Sequence, residues 1–248
     1  MTMSAQRKGT VAAGVLYLVT HVTSVVALVL YGPVLDDPDY VTGSVSDGRI
    51  LAGGLLEVIL ALAVVGTGVA LFPLVARHSP GAAMGYAALR TLEAATILAG
   101  VVALLAVVTL RQQAAGAGTA AGTGSAALAQ AGQALVAVHN WTFLVGPGLV
   151  VGVHTTLLAY ALRRFRLVAP FIPVLGLVGG PLVLASNLGV MFGAYAQQST
   201  ITAVCAVPVF AWEICLAVHL IAKGLRASTA ERPEPSGLVL AAGGTMRP

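Results

Sequence analysis

Four charged side chains lie where charge is expensive. Glu57, Arg90, Glu93 and Glu213 sit inside long apolar stretches, and His21, His139, His154 and His219 join them there. A charge at the centre of a membrane helix costs ~2.5–3.5 kcal/mol on insertion scales. Such groups should face a bundle interior and find partners, and they are the usual parts of proton relays. Arg90 and Glu93 are three positions apart, so a helix sets them on one face. Their pairing offsets most of the burial cost of both. At a rise of ~1.5 Å per residue, Arg90 and Glu213 lie ~12 and ~13 Å from the same side of the membrane. Arg90 can therefore bridge Glu93 and Glu213. In that arrangement Arg90 is the fixed cation and Glu93 its partner. Glu213 is the acid that exchanges a proton or faces a ligand. Glu57 and His139 both fall toward the opposite side and are expected to pair.

The excess of three acids over one arginine favours a functional site. One ion pair needs only one acid, and the other two need a proton, a histidine or water, which makes them candidates for titration. The competing reading is a satisfied polar network that fixes helix register. The histidines offer a second alternative, a membrane protein holding haem b between paired imidazoles. His139 and His154 are fifteen residues apart on one helix, or ~22 Å, a spacing for two haems with His21 and His219 as the facing ligands. A third alternative is a structural subunit of a membrane complex. No H-E-x-x-H, G-x-S-x-G or glycine-rich phosphate loop is present. Cys205 and Cys215 lie in apolar sequence and imply neither a disulfide nor a zinc site. No catalytic residue and no metal ligand is assigned, and the reading leans away from an enzyme.

The elements that must position these residues follow from composition. The chain of 248 residues is 58% hydrophobic and 9% charged, against roughly 45–50% and about 25% in soluble domains. That excludes an ordinary soluble enzyme and a disordered chain. A net charge of only +4, with no basic face, excludes nucleic acid as a partner. Six stretches are long enough to span a bilayer, which takes about 20 apolar residues. They are Val11–Tyr31, Ile50–Val75, Ala82–Leu110, Ala131–Leu162, Leu167–Phe192 and Ile201–Ala222. None alternates as a strand would. The fold class is all-α, a polytopic membrane bundle of six transmembrane helices with the lipid bilayer as its partner. Residues 1–10 form a cytoplasmic N-terminus, 11–222 the transmembrane domain, and 223–248 a disordered cytoplasmic tail. The first apolar run is too long for a cleaved signal peptide and is kept as a permanent helix. Gly32-Pro33 is expected to end the first span, and 112–125 reads as a flexible Gly/Ala/Ser/Thr linker.

Orientation comes from the basic residues. With the N-terminus inside, Arg7, Lys8, Arg77, Arg163, Arg164, Arg166, Lys223, Arg226, Arg232 and Arg247 fall on the cytoplasmic side. Only Arg49 and Arg111 fall outside, beside the acidic loop of Asp36, Asp37, Asp39 and Asp47. Gly148 with Gly152, Gly176 with Gly180, and Gly189 with Gly193 are small-xxx-small pairs for close helix approach. They pack the bundle internally or, alternatively, a homodimer. Gly146-Pro147-Gly148 should kink the fourth span.

Five segments resemble a bacterial membrane family catalogued as domain of unknown function 4386. They are Gly14-Val15-Leu16-Tyr17-Leu18; Arg49 with Gly54-Leu55-Leu56-Glu57; Leu89-Arg90-Thr91-Leu92-Glu93-Ala94; His139 with its aromatic and glycine-rich continuation; and Glu213 through Lys223-Gly224. The likeness runs from about Lys8 to Arg226. His219, where the family pattern suggests an aromatic residue, and the Ala/Gly bias of 112–125 depart from it. The resemblance implies a multi-pass protein of the bacterial inner membrane with no established activity. It also implies that Arg90, Glu93, His139 and Glu213 share one site, which the buried charges suggest is open to a small molecule or to protons.

Overall fold

The computed structural model describes residues 4–43, 46–116 and 122–226. Among these there are helices and turns but no strand. The helices are α1 (Ala5–Asp36), α2 (Gly48–Ala76), α3 (Pro80–Gly116), α4 (Gly122–Phe143), α5 (Val151–Arg164), α6 (Phe171–Met191) and α7 (Thr200–Ala222). A π-helical turn, Leu144–Val150, joins α4 to α5 without a break. Counting that continuous stretch once, six helices are long and apolar enough to cross a membrane.

The helices form a closed ring. Each packs on the next in sequence, and α7 returns to pack on α1. Arg7 locks this closure, because its guanidinium donates to the carbonyls of Leu220, Ile221 and Ala222. Those carbonyls end α7 and have no partner within their own helix. One end of the ring carries the turn Arg163–Arg166 (the arginine end), and the other carries the loop 37–43 with Asp47 (the aspartate end). An apolar cluster fills each end. Tyr17, Tyr86, Leu158, Trp212 and Leu216 belong to the first, and Tyr31, Tyr40, Ile50 and Leu104 to the second. The outer surface is apolar too, with Val22, Leu62, Val69, Val102, Val204 and Phe192 all exposed. A soluble monomer rarely shows so continuous an apolar surface.

Glycines set the closest approaches. A Cβ on Gly152 would lie 2.8 Å from the Gly180 carbonyl, and one on Gly180 would strike Thr156. Gly176 meets Ala159 and Trp212 at 2.7 and 2.8 Å in the same sense. These glycines therefore pack α6 against α5 and α7 within one chain. Gly193 instead ends α6 with a φ of 76°, a conformation that suits a residue without Cβ.

Three boundaries differ from the sequence expectation, each for a physical reason. α1 does not stop at Gly32-Pro33 but runs to Asp36 with Pro33 inside it. Pro33 cannot donate to the Val29 carbonyl, and Arg49 Nη2 supplies that bond at 3.2 Å. Much of the expected linker is helical, since α3 continues to Gly116 and α4 begins at Gly122. Gln112, Gln113, Ala114 and Ala115 are good helix formers and carry α3 onward; residues 117–121 lie outside the described residues. Of the expected tail, Lys223 to Arg226 folds back on the bundle, where Arg226 N donates to the Leu167 carbonyl at 2.9 Å. Residues 227–248 lie outside the described residues. At Pro147, where a kink is expected, the backbone forms the π-turn.

Candidate functional site

Between the two apolar clusters lies a polar layer built by five spans. α3 supplies Tyr86, Arg90 and Glu93 from one buried stripe. α1 supplies Tyr17 and His21, α2 Thr67, α5 His154 and α7 Glu213.

Arg90 is the hub. Its Nη1 lies 3.0 Å from Glu93 Oε2 and 3.7 Å from Glu213 Oε1. Its Nε donates to Thr67 Oγ1 at 2.9 Å, and the Thr67 hydroxyl donates in turn to the Val64 carbonyl at 2.7 Å. The guanidinium stacks over the Tyr17 ring at 5.3 Å, and the Tyr17 and Tyr86 hydroxyls meet at 2.5 Å. Arg90 is thus 2% exposed, yet its Nη2 has no hydrogen-bond partner.

The two acids differ. Glu93 Oε2 receives Arg90 at 3.0 Å and lies 2.9 Å from His154 Nε2, both within hydrogen-bond range. Glu213 has contacts at 3.6 Å to His21 Nε2 and 3.7 Å to Arg90, both outside that range. Its side chain is also the more exposed, 13% against 6%.

The His21 tautomer follows from its other nitrogen. Nδ1 lies 2.8 Å from the Tyr17 carbonyl oxygen, one turn back. A carbonyl only accepts, so Nδ1 carries the proton. In the neutral ring Nε2 is then a lone pair, and it points at the Glu213 carboxyl. Two acceptors face each other unless a proton lies between them.

A cavity of about 130 Å³ opens beside this layer. His21, Arg90, Glu93 and Glu213 form its polar wall, and Phe143, Pro147 and Phe210 an apolar one. That is room for about four waters at ~30 Å³ each. Pro147 belongs to the π-turn, so irregular backbone lines the cavity, as is frequent for π-turns at functional sites.

Glu57 and His139 stand apart from this layer and do not hydrogen-bond to each other. The Tyr31 hydroxyl donates to Glu57 Oε2 at 2.9 Å. The same Tyr31 ring meets His139 edge-on at 5.6 Å, and Phe143 packs on the other side of His139. Arg90, Glu93 and Glu213 are thus brought together as their depths suggest, while His139, which the family resemblance adds to them, is not. The haem alternative needs imidazoles free to face one another. Here His154 is against Glu93, His21 against Glu213, and His139 between two rings, while His219 lies near the arginine end with Nε2 unpartnered. Sequence reasoning left out Tyr17, Thr67 and Tyr86. The four-residue spacings Tyr17–His21 and Tyr86–Arg90 are the signals that could have found two of them.

At the aspartate end, Arg111 pairs with Asp47, and Gln112 and Tyr40 add hydrogen bonds of 3.3 Å each to the same carboxylate. Burial and the facing Asp47 push the Tyr40 phenol pKa up.

A family model described as domain of unknown function (DUF4386) matches residues 12–224. The chain belongs to that family. The matched stretch of this DUF4386 chain contains every residue of the polar layer and the π-turn. No curated protein and no solved structure matches the DUF4386 chain.

Proposed function

We propose that this protein spans the bacterial cytoplasmic membrane six times, with both termini inside, and binds a small polar ligand in a proton-coupled manner at the cavity of the polar layer. The asymmetry of basic residues supports the orientation, with the arginine end cytoplasmic. The observation that carries the function is the His21–Glu213 pair. Its two facing acceptors leave a place for one shared proton, at the wall of a cavity. Arg90 and Glu93 form the fixed part, held by His154, Thr67 and Tyr17. Glu213 is the moving part, out of hydrogen-bond reach of both neighbours. With neutral imidazoles the layer holds one guanidinium and two carboxylates, so one proton or one cationic ligand balances it. The role is binding or transport rather than bond-making chemistry, since the layer offers no nucleophile paired with a base.

The test uses full-length protein in nanodiscs and proteoliposomes. Wild type should show thermal stability that changes between about pH 5 and 8. Glu213→Gln should flatten that profile and remove proton movement reported by a pH-sensitive dye inside the vesicles, while the protein stays folded. A Glu213→Gln profile equal to wild type, with dye response unchanged, would leave only a structural network.

A further inference from the structure

A second cavity lies at the arginine end, far from the polar layer. It measures about 890 Å³ and sits between the end of α5, the start of α6 and Arg226 in the segment after α7. Arg163, Arg164, Arg166 and Arg226 line it together with apolar Val174 and Leu177, and no acidic residue lines it among the described residues. We propose that this cavity holds the headgroup of an anionic phospholipid, with the phosphate on the arginines and the glycerol and upper acyl carbons on the apolar wall.

The backbone supplies the strongest argument. Three helices end in the same way, with a left-handed residue directly after the cap. α6 uses Gly193 (φ 76°) and α7 uses Gly224 (φ 73°). α5 uses Arg166 (φ 53°). The hydrogen bonding after α5 and α6 is alike, with Leu167 N donating to Leu162 O at 3.0 Å and Ala194 N to Gly189 O at 2.8 Å. Glycine is the residue this turn favours. An arginine kept there at the expense of backbone comfort points to a use for its side chain.

Position and chemistry name the occupant. Arg226 is brought to the same turn by its backbone bond to Leu167. Tyr160 and Phe171, both in the lining, are 58% and 59% exposed, as aromatic residues are at the level of lipid headgroups. Guanidinium forks match phosphate oxygens in pairs. Basic pockets between helix ends on one membrane face are where anionic headgroups bind. A free phosphate would leave the apolar wall unused. The proposal requires that the helices span a bilayer, and it is independent of the His21–Glu213 reading.

Native mass spectrometry of the full chain, delipidated in detergent, tests this with phosphatidylglycerol and phosphatidylcholine in equal amounts. Phosphatidylglycerol adducts should dominate, and excess inorganic phosphate should not displace them. Each arginine removed should lower the preference by ~5-fold, the effect of one basic residue near an anionic surface. Arg166→Gly should weaken the lipid preference while leaving thermal stability equal or higher. Arg163→Gln with Arg226→Gln, which does not touch the left-handed position, should lower the preference further. Arg77→Gln, at the same end but outside the cavity, should leave it unchanged. Equal retention of phosphatidylcholine, displacement by inorganic phosphate, or an unaltered preference in Arg166→Gly and in the Arg163→Gln/Arg226→Gln variant would each overturn the proposal.

Discussion

Glu57 and Glu213 are both acids inside the bundle, about 15 Å apart in depth if Thr67, ten residues from Glu57 on α2, marks the Glu213 layer. Their surroundings differ. Glu57 takes one hydrogen bond from Tyr31, and that ring is wedged against Gly53, where a Cβ would come to 2.7 Å of it. The space is filled. Glu213 faces a histidine and an arginine at distances too long for hydrogen bonds, beside a cavity. Burial of an acid is therefore a poor sign of function when taken alone. Hydrogen-bonding capacity left unused at a cavity wall is the better sign, and only the Glu213 layer combines the two.

That contrast can be broken experimentally, and Arg90 is the strongest lever. Arg90→Met leaves two buried acids without their cation and should cost about 3–5 kcal/mol, the usual loss when one partner of a buried pair is removed. Arg90→Met with Glu93→Gln should recover part of it. Thermal unfolding in nanodiscs measures both, with Glu57→Gln as the reference at no more than about 1 kcal/mol. Equal losses for Arg90→Met and Glu57→Gln would erase the distinction between the layers. A middle-sized effect belongs to Gly53→Ala, which drives a methyl into the Tyr31 ring and should cost about 1–3 kcal/mol. Tyr31→Leu should relieve it, and proton movement at the other layer should be untouched in both variants.

The smallest effect lies outside the membrane layer, at Tyr40. Its phenol pKa is raised by burial first and by Asp47 second. A raised value in the folded state contributes stability that is full below the unfolded value of about 10. That contribution is lost as pH rises through the folded value. Tyr40→Phe should remove this alkaline loss and cost about 1 kcal/mol or less at neutral pH through the missing bond to Asp47. Chemical unfolding at pH 7 and above pH 10 compares the two.

Depth was legible in the sequence; direction around a helix axis was not. The spans show because apolar length alone defines them. Arg90, Glu93 and Glu213 can be grouped because residue counting gives their level in the membrane. His139 and His154 defeat the same counting. They occupy one continuous span but lie fifteen residues apart, so they join different layers, and counting does not show which neighbour each ring faces. His21 was assignable only once its Nδ1 partner was known. Pro33 signals a stop that the Arg49 side chain cancels from another helix, and no local pattern encodes that rescue. The stretch 112–125 was misleading because Gly, Ser and Thr suggest a loop, while Gln112, Gln113, Ala114 and Ala115 at its start favour helix.

Closure of the ring by α1 and α7 has a consequence for the order of synthesis. The first helix enters the membrane long before its neighbour on one side exists. Throughout that interval His21 lacks Glu213, and Arg7 lacks the carbonyls of Leu220, Ile221 and Ala222. The fixed part, Arg90 with Glu93, Thr67 and His154, needs only the earlier helices; the His21–Glu213 pair has no earlier form. It comes into being when the last helix is released, and a chain truncated before α7 would insert without ever acquiring it.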